Sequence, residues 1–270
     1  MTSTTLSRPS ARKWIPNNPA GMLLRLQTVW LNLSFYFLFL AVSALLIPVL
    51  IVIGVVFVPF GPWRRTMGRT RFLIKVYGHV MMVMGVPLLR VKGERMHGKP
   101  PQPCIYICNH RSACDAFTMA MLPGEIVQVV NVWPFKLPVL GFFAKFAGYM
   151  SIREMPPEEF MRRGEKFLEQ GVSIAAFPEG TRATSRQMGS FHGALFRLAL
   201  RTGAPIVPVC LSGTEKSPPK GTLVLQPTTI RVRPLKPVMQ ETYRDMSPFK
   251  LKNLVRGLIA EELDRMELAG

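Results

Sequence analysis

The sequence predicts an α/β domain: a mostly parallel central sheet flanked by helices, preceded by an N-terminal helical membrane-embedded segment. Three observations lead there. From residue 104 onward, short apolar runs alternate with helix-like stretches, the pattern of strands joined by helical crossovers. The 38 residues between Arg25 and Arg64 contain no Asp, Glu, Lys, Arg or His, a run too long for a core helix and long enough for a bilayer. The charge is lopsided. Lys and Arg number 34 against 16 Asp and Glu, for a net +18, and the first acid is Glu94, with eleven basic residues before it. A basic excess flanking an apolar run points to anionic lipid as partner. No recognition motif for nucleic acid accompanies it.

The elements follow in order. Residues 1–20 are a polar N-terminal arm, and 21–92 form a membrane-anchoring helical segment. A single helix over 31–60 would measure about 45 Å against a hydrocarbon core of about 30 Å. Pro48 sits near its middle and predicts a bend into a hairpin. Basic residues on both flanks (Arg12, Lys13 and Arg25; Arg64, Arg65, Arg69 and Arg71) favour a re-entrant form with both ends in the cytoplasm. The stretch 72–89 reads as an interfacial helix, and 92–104 as a turn-rich connection.

The α/β domain spans 93–270. Strands are expected at 104–108, 126–131, 148–153, 172–177 and 205–211, with a hairpin of 222–226 and 228–233. Helices are expected near 115–122, 136–147, 156–171, 191–202 and 247–268. Gly171 and Gly203 close two of them, and Ser247 and Pro248 open the last. In "CIYIC", Cys104, Tyr106 and Cys108 share one face. Their spacing, with Cys114 and Cys210, suits neither a disulfide framework nor a metal knuckle; no metal and no bound cofactor are expected.

In such sheets, chemistry gathers at the loops leaving the carboxyl ends of strands. "NHRSACD" (109–115) follows the first of these strands. His110 and Asp115 are five apart, about 140° on a continuous helix, so they can meet only if His110 lies in the loop and Asp115 in the first helical turn. Asp115 would then accept from one ring nitrogen and leave the other as a general base. "FPEGTR" (177–182) follows another apolar strand. Pro178 and Gly180 make a tight turn, and Glu179 and Arg182 set opposite charges in it. An Arg fork beside exposed N–H groups can clamp phosphate.

Together these stretches resemble the glycerolipid acyltransferase family of the 1-acylglycerol-3-phosphate (lysophosphatidate) acyltransferase type. Asn109, His110 and Asp115 match its first motif, with Ser112 at a common family position. "GYMSIR", ending at Arg153, resembles the second. "FPEGTR" matches the third, and "PIVPVCLSG", with Pro208, resembles the fourth. The resemblance covers about residues 85–235. It implies His110 as base and Asp115 as its partner. It further implies Arg182, Arg153, Glu179, Gly180 and Thr181 around the substrate phosphate, with Asn109, Ser112, Lys136 and Pro208 in support. The chain departs from relatives at Val132 and Trp133, where they carry a lysine-glutamate pair, and at His192, where they carry a lysine.

The resemblance also implies the reaction: a lyso-lipid hydroxyl attacks an acyl thioester, acyl-CoA or acyl carrier protein, with no acyl-enzyme. Backbone N–H groups at the helix start after His110 are expected to stabilise the oxyanion. Lysophosphatidic acid is the first acceptor expected, ahead of other lysophospholipids and lyso-ornithine lipid. Two other readings compete. A thiol enzyme would use Cys108 or Cys114 beside His110. A non-catalytic lipid-binding membrane protein would use only the basic apolar segment.

Overall fold

The computed structural model describes residues 19–57, 62–94, 100–136, 138–183, 187–219 and 221–268. The expected N-terminal arm lies outside them except for its last two residues. Helix α1 runs from Pro19 to Phe57 without interruption, so Pro48 sits inside it. The chain therefore does not turn back on itself at Pro48 as expected. The hairpin is formed instead by α1 with α2 (Trp63–Val83), whose Tyr77 hydroxyl lies 2.8 Å from Ser43 Oγ. Helix α2 starts nine residues before the interfacial helix expected at 72, immediately after Pro62.

The remaining elements are β1 (Leu89–Gly93), β2 (Ile105–Cys108), α3 (Asp115–Thr118), β3 (Ile126–Val129), α4 (Trp133–Lys136), α5 (Pro138–Phe146), α6 (Pro157–Glu169), β4 (Ser173–Ala176), α7 (Ala194–Thr202), β5 (Ile206–Ser212), β6 (Thr228–Pro234), α8 (Gln240–Tyr243) and α9 (Pro248–Leu268). The sheet order is β1-β6-β5-β2-β4-β3. Only β5 and β6 pair antiparallel. Strands β2, β4 and β5 are buried at every position, as strands covered on both faces must be.

Several local expectations are corrected. Strand β1 lies across the junction between the interfacial helix expected over 72–89 and the connection expected over 92–104. Residues 222–226 form no strand, because the N–H and C=O of Leu225 bond to the Asn32 side chain of α1 rather than to a neighbouring strand. "GYMSIR" is reduced to one bridge, Met150 to Val129. Helix α5 falls within the helix expected over 136–147, and α4 adds a turn before it. The helix after His110 tightens into a 3₁₀ turn at Met119–Met121.

The sheet separates two cores. One packs Ile105, Ile107 and Ile174 against α6, α7 and α9. The other packs Cys104, Tyr106 and Cys108 with Val207, Val209 and Leu211 against Leu31 and Phe35 of α1. The alternation in "CIYIC" sorts its residues between the two, as expected of a strand. Helix α1 is thus part of the domain's core as well as an apolar rod.

Candidate active site

Strands β2 and β4 are parallel neighbours, with Ile107 opposite Ala176. Their carboxyl ends therefore deliver two loops side by side. The β2 loop begins with Asn109, fully buried, whose amide donates to the Leu211 C=O at 2.9 Å and accepts from the Leu211 N–H at 2.8 Å. That ties the loop's root to β5. His110 comes next. Its Nδ1 lies 2.8 Å from Asp115 Oδ2. The same oxygen accepts the N–H groups of Arg111 at 2.7 Å and Ser112 at 2.8 Å. Asp115 is fully buried while the imidazole is 21% exposed. A carboxylate can only accept, so Nδ1 carries the proton and Nε2 has the lone pair. The ring stacks on Phe177, with centroids 4.3 Å apart.

The loop wrapped around Asp115 consumes its own donors. The N–H groups of Arg111 and Ser112 point to Asp115, and that of Cys114 points to Ser112 Oγ at 3.1 Å. These three groups are therefore engaged within the loop, while Ala113 and Ala116 at the helix start line the cavity. Ser112 Oγ in turn donates to the Ser217 carbonyl, fastening the β2 loop to the segment after β5.

The β4 loop turns at Gly180, with φ +68°, a conformation that favours glycine. A Cβ there would also meet His192 Nε2 at 3.0 Å. Glu179 is buried, and its Oε1 accepts the His110 N–H while its Oε2 accepts the Gly189 N–H, both at 2.8 Å. The Ala183 N–H donates to the His110 carbonyl at 2.8 Å. Both main-chain groups of the histidine are thus gripped by the FPEGTR loop. Glu179 was expected around the phosphate; instead it faces inward and is not part of the cavity wall.

A cavity of about 1620 Å³ opens over these loops, and its wall includes His110, Arg153, Gly180, Thr181, Arg182 and His192. The expected residues His110, Asp115, Gly180, Thr181, Arg182 and Arg153 are therefore brought to one site. Lys136 is exposed on α4 and Pro208 is buried in β5 opposite Ile107; neither lines the cavity. The rest of the wall is largely apolar and comes in part from α1 and α2: Phe39, Ile47, Leu50, Phe72 and Tyr77. No local sequence signal marks these, because they reach the site through helix packing.

A second feature has no local signal either. Glu125, just before β3, accepts from Arg64 and Arg71 of α2, with Arg64 at 2.9 and 2.8 Å and Arg71 Nε at 2.9 Å. Burial alone would raise its pKa, but the two guanidinium groups outweigh that and hold it below the ordinary value. The pair docks α2 on the α/β domain beside the cavity.

The thiols are poorly placed for chemistry. Burial, reinforced by the charge of Asp115, pushes the Cys114 thiol up to about 12, and burial raises Cys108 well above its usual value. Neither lines the cavity, and a nucleophile needs the thiolate. Among the described residues, no group of three or more His, Cys, Asp or Glu side chains is arranged to hold a metal ion.

Comparison with known proteins places these features. The family model described as Acyltransferase matches residues 88–212. The chloroplastic 1-acyl-sn-glycerol-3-phosphate acyltransferase of Arabidopsis thaliana is 30% identical over 237 residues, covering 85% of this chain and 64% of the relative. The 1-acyl-sn-glycerol-3-phosphate acyltransferase of Limnanthes douglasii is 32% identical over 195 residues, covering 68% of this chain and 67% of the relative. The chain thus spans somewhat under two thirds of the Arabidopsis protein's length. The crystal structure of the 1-acyl-sn-glycerophosphate (LPA) acyltransferase PlsC from Thermotoga maritima shares the fold, with a TM-score of 0.72 at 20% identity, over 90% of this chain and 97% of that one.

Proposed function

Because the chain belongs to the glycerolipid acyltransferase family, of the 1-acyl-sn-glycerol-3-phosphate acyltransferase type, we propose that it is a membrane-bound enzyme. It would move a fatty acyl group from an acyl thioester to the free hydroxyl of 1-acylglycerol-3-phosphate, giving phosphatidic acid. The observation that carries this reading is the 2.8 Å contact between His110 Nδ1 and Asp115 Oδ2, at the wall of a cavity that also contains Arg182.

In this mechanism Nε2 of His110 takes the hydroxyl proton as the oxygen attacks the thioester carbonyl. Asp115 holds the tautomer and stabilises the imidazolium. The tetrahedral adduct then collapses, the carbon–sulfur bond breaks, and the leaving thiolate receives the proton from His110. Proton and acyl group are both accounted for without an acyl-enzyme. Arg182 and Arg153 hold the acceptor phosphate, and Gly180 and Thr181 shape its approach. The apolar wall takes acyl chain. The donor is acyl-CoA or acyl carrier protein, both anionic and matched to a basic protein.

Helix α1 bears on localisation. Leu31, Phe35, Ser43 and Leu50 are buried along one side of it, over about 29 Å of helix, while Leu26, Leu33, Phe37, Leu40 and Leu45 are exposed elsewhere around it. A helix packed on the domain at Leu31 and Phe35 and on α2 at Ser43 suits a position within one leaflet better than a perpendicular span. The basic residues near both ends of the α1–α2 pair favour the cytoplasmic face. An interfacial seat also spares the enzyme from drawing an acyl chain into water, at about 0.8 kcal/mol per CH₂.

The test is purified protein in micelles, offered a panel of lyso-lipids with acyl-CoA and with acyl carrier protein. Phosphatidic acid formed from lysophosphatidic acid, and lost in His110→Ala, is the expected result. No acyl transfer to any lyso-lipid overturns the reading.

A further inference from the structure

Between β5 and β6 the chain forms a loop, residues 217–226, that touches three things at once. Its Pro218, Gly221, Thr222 and Leu223 line the cavity. Its Leu225 is 1% exposed and is clasped by Asn32 of α1, at 2.8 and 2.9 Å, while the Tyr36 hydroxyl donates to the Leu223 carbonyl. Yet Leu223 is 75% exposed and Val224 50%.

That exposure does not come from a loose loop. The Gln226 N–H donates to the Lys216 carbonyl at 2.9 Å, and the Thr222 N–H to the Pro219 carbonyl at 3.2 Å. The Val224 N–H bonds Thr222 Oγ1 at 2.7 Å. Two large aliphatic side chains are thus held outward by a fixed backbone. Their surroundings say what covers them. On α1, Val29, Leu33 and Leu40 lie within about 60° of Tyr36 and about 100° of Asn32 around the helix axis and are themselves more than half exposed. Loop and helix therefore present one continuous apolar surface. The sequence from Lys216 to Arg231 carries Lys216 and Lys220 and no acidic residue, a charge balance that complements anionic headgroups.

We propose that residues 221–225 are a membrane-dipping lip, the rim over which a lipid acceptor passes from an anionic bilayer into the cavity. The proposal rests on the acyl-transfer reading for its purpose, and on the joined surface of α1 and the loop for its location. Because Leu223 belongs to both cavity wall and exposed surface, an acyl chain sliding along the lip stays in apolar contact from bilayer to pocket. Asn32 fixes the lip's height relative to α1.

The test is an environment-sensitive fluorophore on Leu223→Cys in the full chain. Of the native cysteines, Cys104, Cys108 and Cys210 are buried and Cys114 is half-buried. Matched labels go on Leu33→Cys of α1 and on Phe249→Cys of α9, the helix packed against the opposite sheet face. With phosphatidylcholine vesicles containing phosphatidylglycerol, the labels at 223 and 33 should shift to the blue and be quenched by brominated acyl chains, while that at 249 stays aqueous. A label at 33 that inserts while that at 223 stays in water overturns the lip. Kinetics give a second arm. Val224→Asp should raise KM for a vesicle-embedded acceptor about tenfold or more, as expected for a charge forced towards hydrocarbon. A short-chain acceptor dissolved as monomer should be used as before; equal impairment with both acceptors also overturns it. Insertion is read without turnover. A protein whose 223 label inserts but which transfers no acyl group to either acceptor therefore fails the acyl-transfer reading alone.

Discussion

Glu179 holds His110 by its main chain. The carboxylate of the FPEGTR turn accepts the histidine's N–H at 2.8 Å, and its second oxygen accepts the Gly189 N–H at the same distance. The acid is a clasp between the two motif loops. Glu179→Gln places a buried amide NH₂ against one of the two N–H donors and leaves that NH₂ and that N–H without an acceptor there. Such a loss is worth about 1–3 kcal/mol. The variant should unfold at correspondingly lower urea concentration. Its kcat should fall far more than its acceptor KM rises, because the imidazole is displaced while the phosphate clamp remains.

His110→Ala should abolish turnover to within assay limits while leaving the fold intact, since the ring is partly exposed and its neighbours are anchored by backbone. Asp115→Asn is a different kind of loss. The amide cannot accept from the ring and from two N–H groups through one oxygen while its NH₂ lies buried beside them. The expected decrease in kcat is about 10³–10⁴-fold, with a lowered melting temperature as well. Steady-state kinetics and calorimetry on the two variants separate the roles.

Arg182→Ala should act mainly on acceptor binding. A charge-assisted contact to phosphate is worth about 1.5–3 kcal/mol, so KM for the lyso-lipid should rise about 10–100-fold. Arg182→Lys should recover only part of this, because an ammonium lacks the planar fork. A fall in kcat with unchanged KM would assign Arg182 to the transition state instead.

Glu125 gives a pH signature. Its pKa in the folded protein is held below the ordinary value by Arg64 and Arg71. The docking of α2 therefore gains stability that is full above the unfolded carboxylate's range of about 4.3, and that stability is lost as pH falls through the lower folded value. Limited proteolysis at descending pH should release α2 only in strong acid. Glu125→Gln should release it at neutral pH.

Arg111 supplies a fifth contrast. It is 4% exposed and pairs with Glu267 near the end of α9, while its N–H bonds Asp115. Glu215 lies 3.7 Å from the same guanidinium nitrogen, so losing Glu267 removes one charge-assisted hydrogen bond and not the whole pairing, worth about 1.5–3 kcal/mol. Glu267→Ala, far from the motifs in sequence, should lower the melting temperature and the turnover together, as read by thermal denaturation alongside activity.

What could be read from the residues was local. The strand after residue 104 and the loop position of His110 follow from short-range pattern. So does the turn at Gly180, and each had a nearby cause. The expectations that failed depended on distant partners. Pro48 suggests a bend until Tyr77 is known to pack against Ser43. Residues 222–226 look like half of a hairpin until Asn32, 193 positions away, takes the backbone of Leu225. Glu179 beside Arg182 suggests a phosphate pocket, but its partner is the peptide N–H of a residue 69 positions earlier. Two of the N–H groups after His110, those of Arg111 and Ser112, are spent on Asp115, which only the folded loop reveals.

The packing of Leu31 and Phe35 into the core beneath Tyr106, Val209 and Leu211 bears on how the enzyme can be handled. Clipping away the N-terminal rod, the usual route to a water-soluble version of an anchored catalyst, would strip the roof from half the sheet. The shortened protein should aggregate rather than dissolve. On the membrane-bound reading, detergent serves less to float an appendage than to keep the catalyst whole.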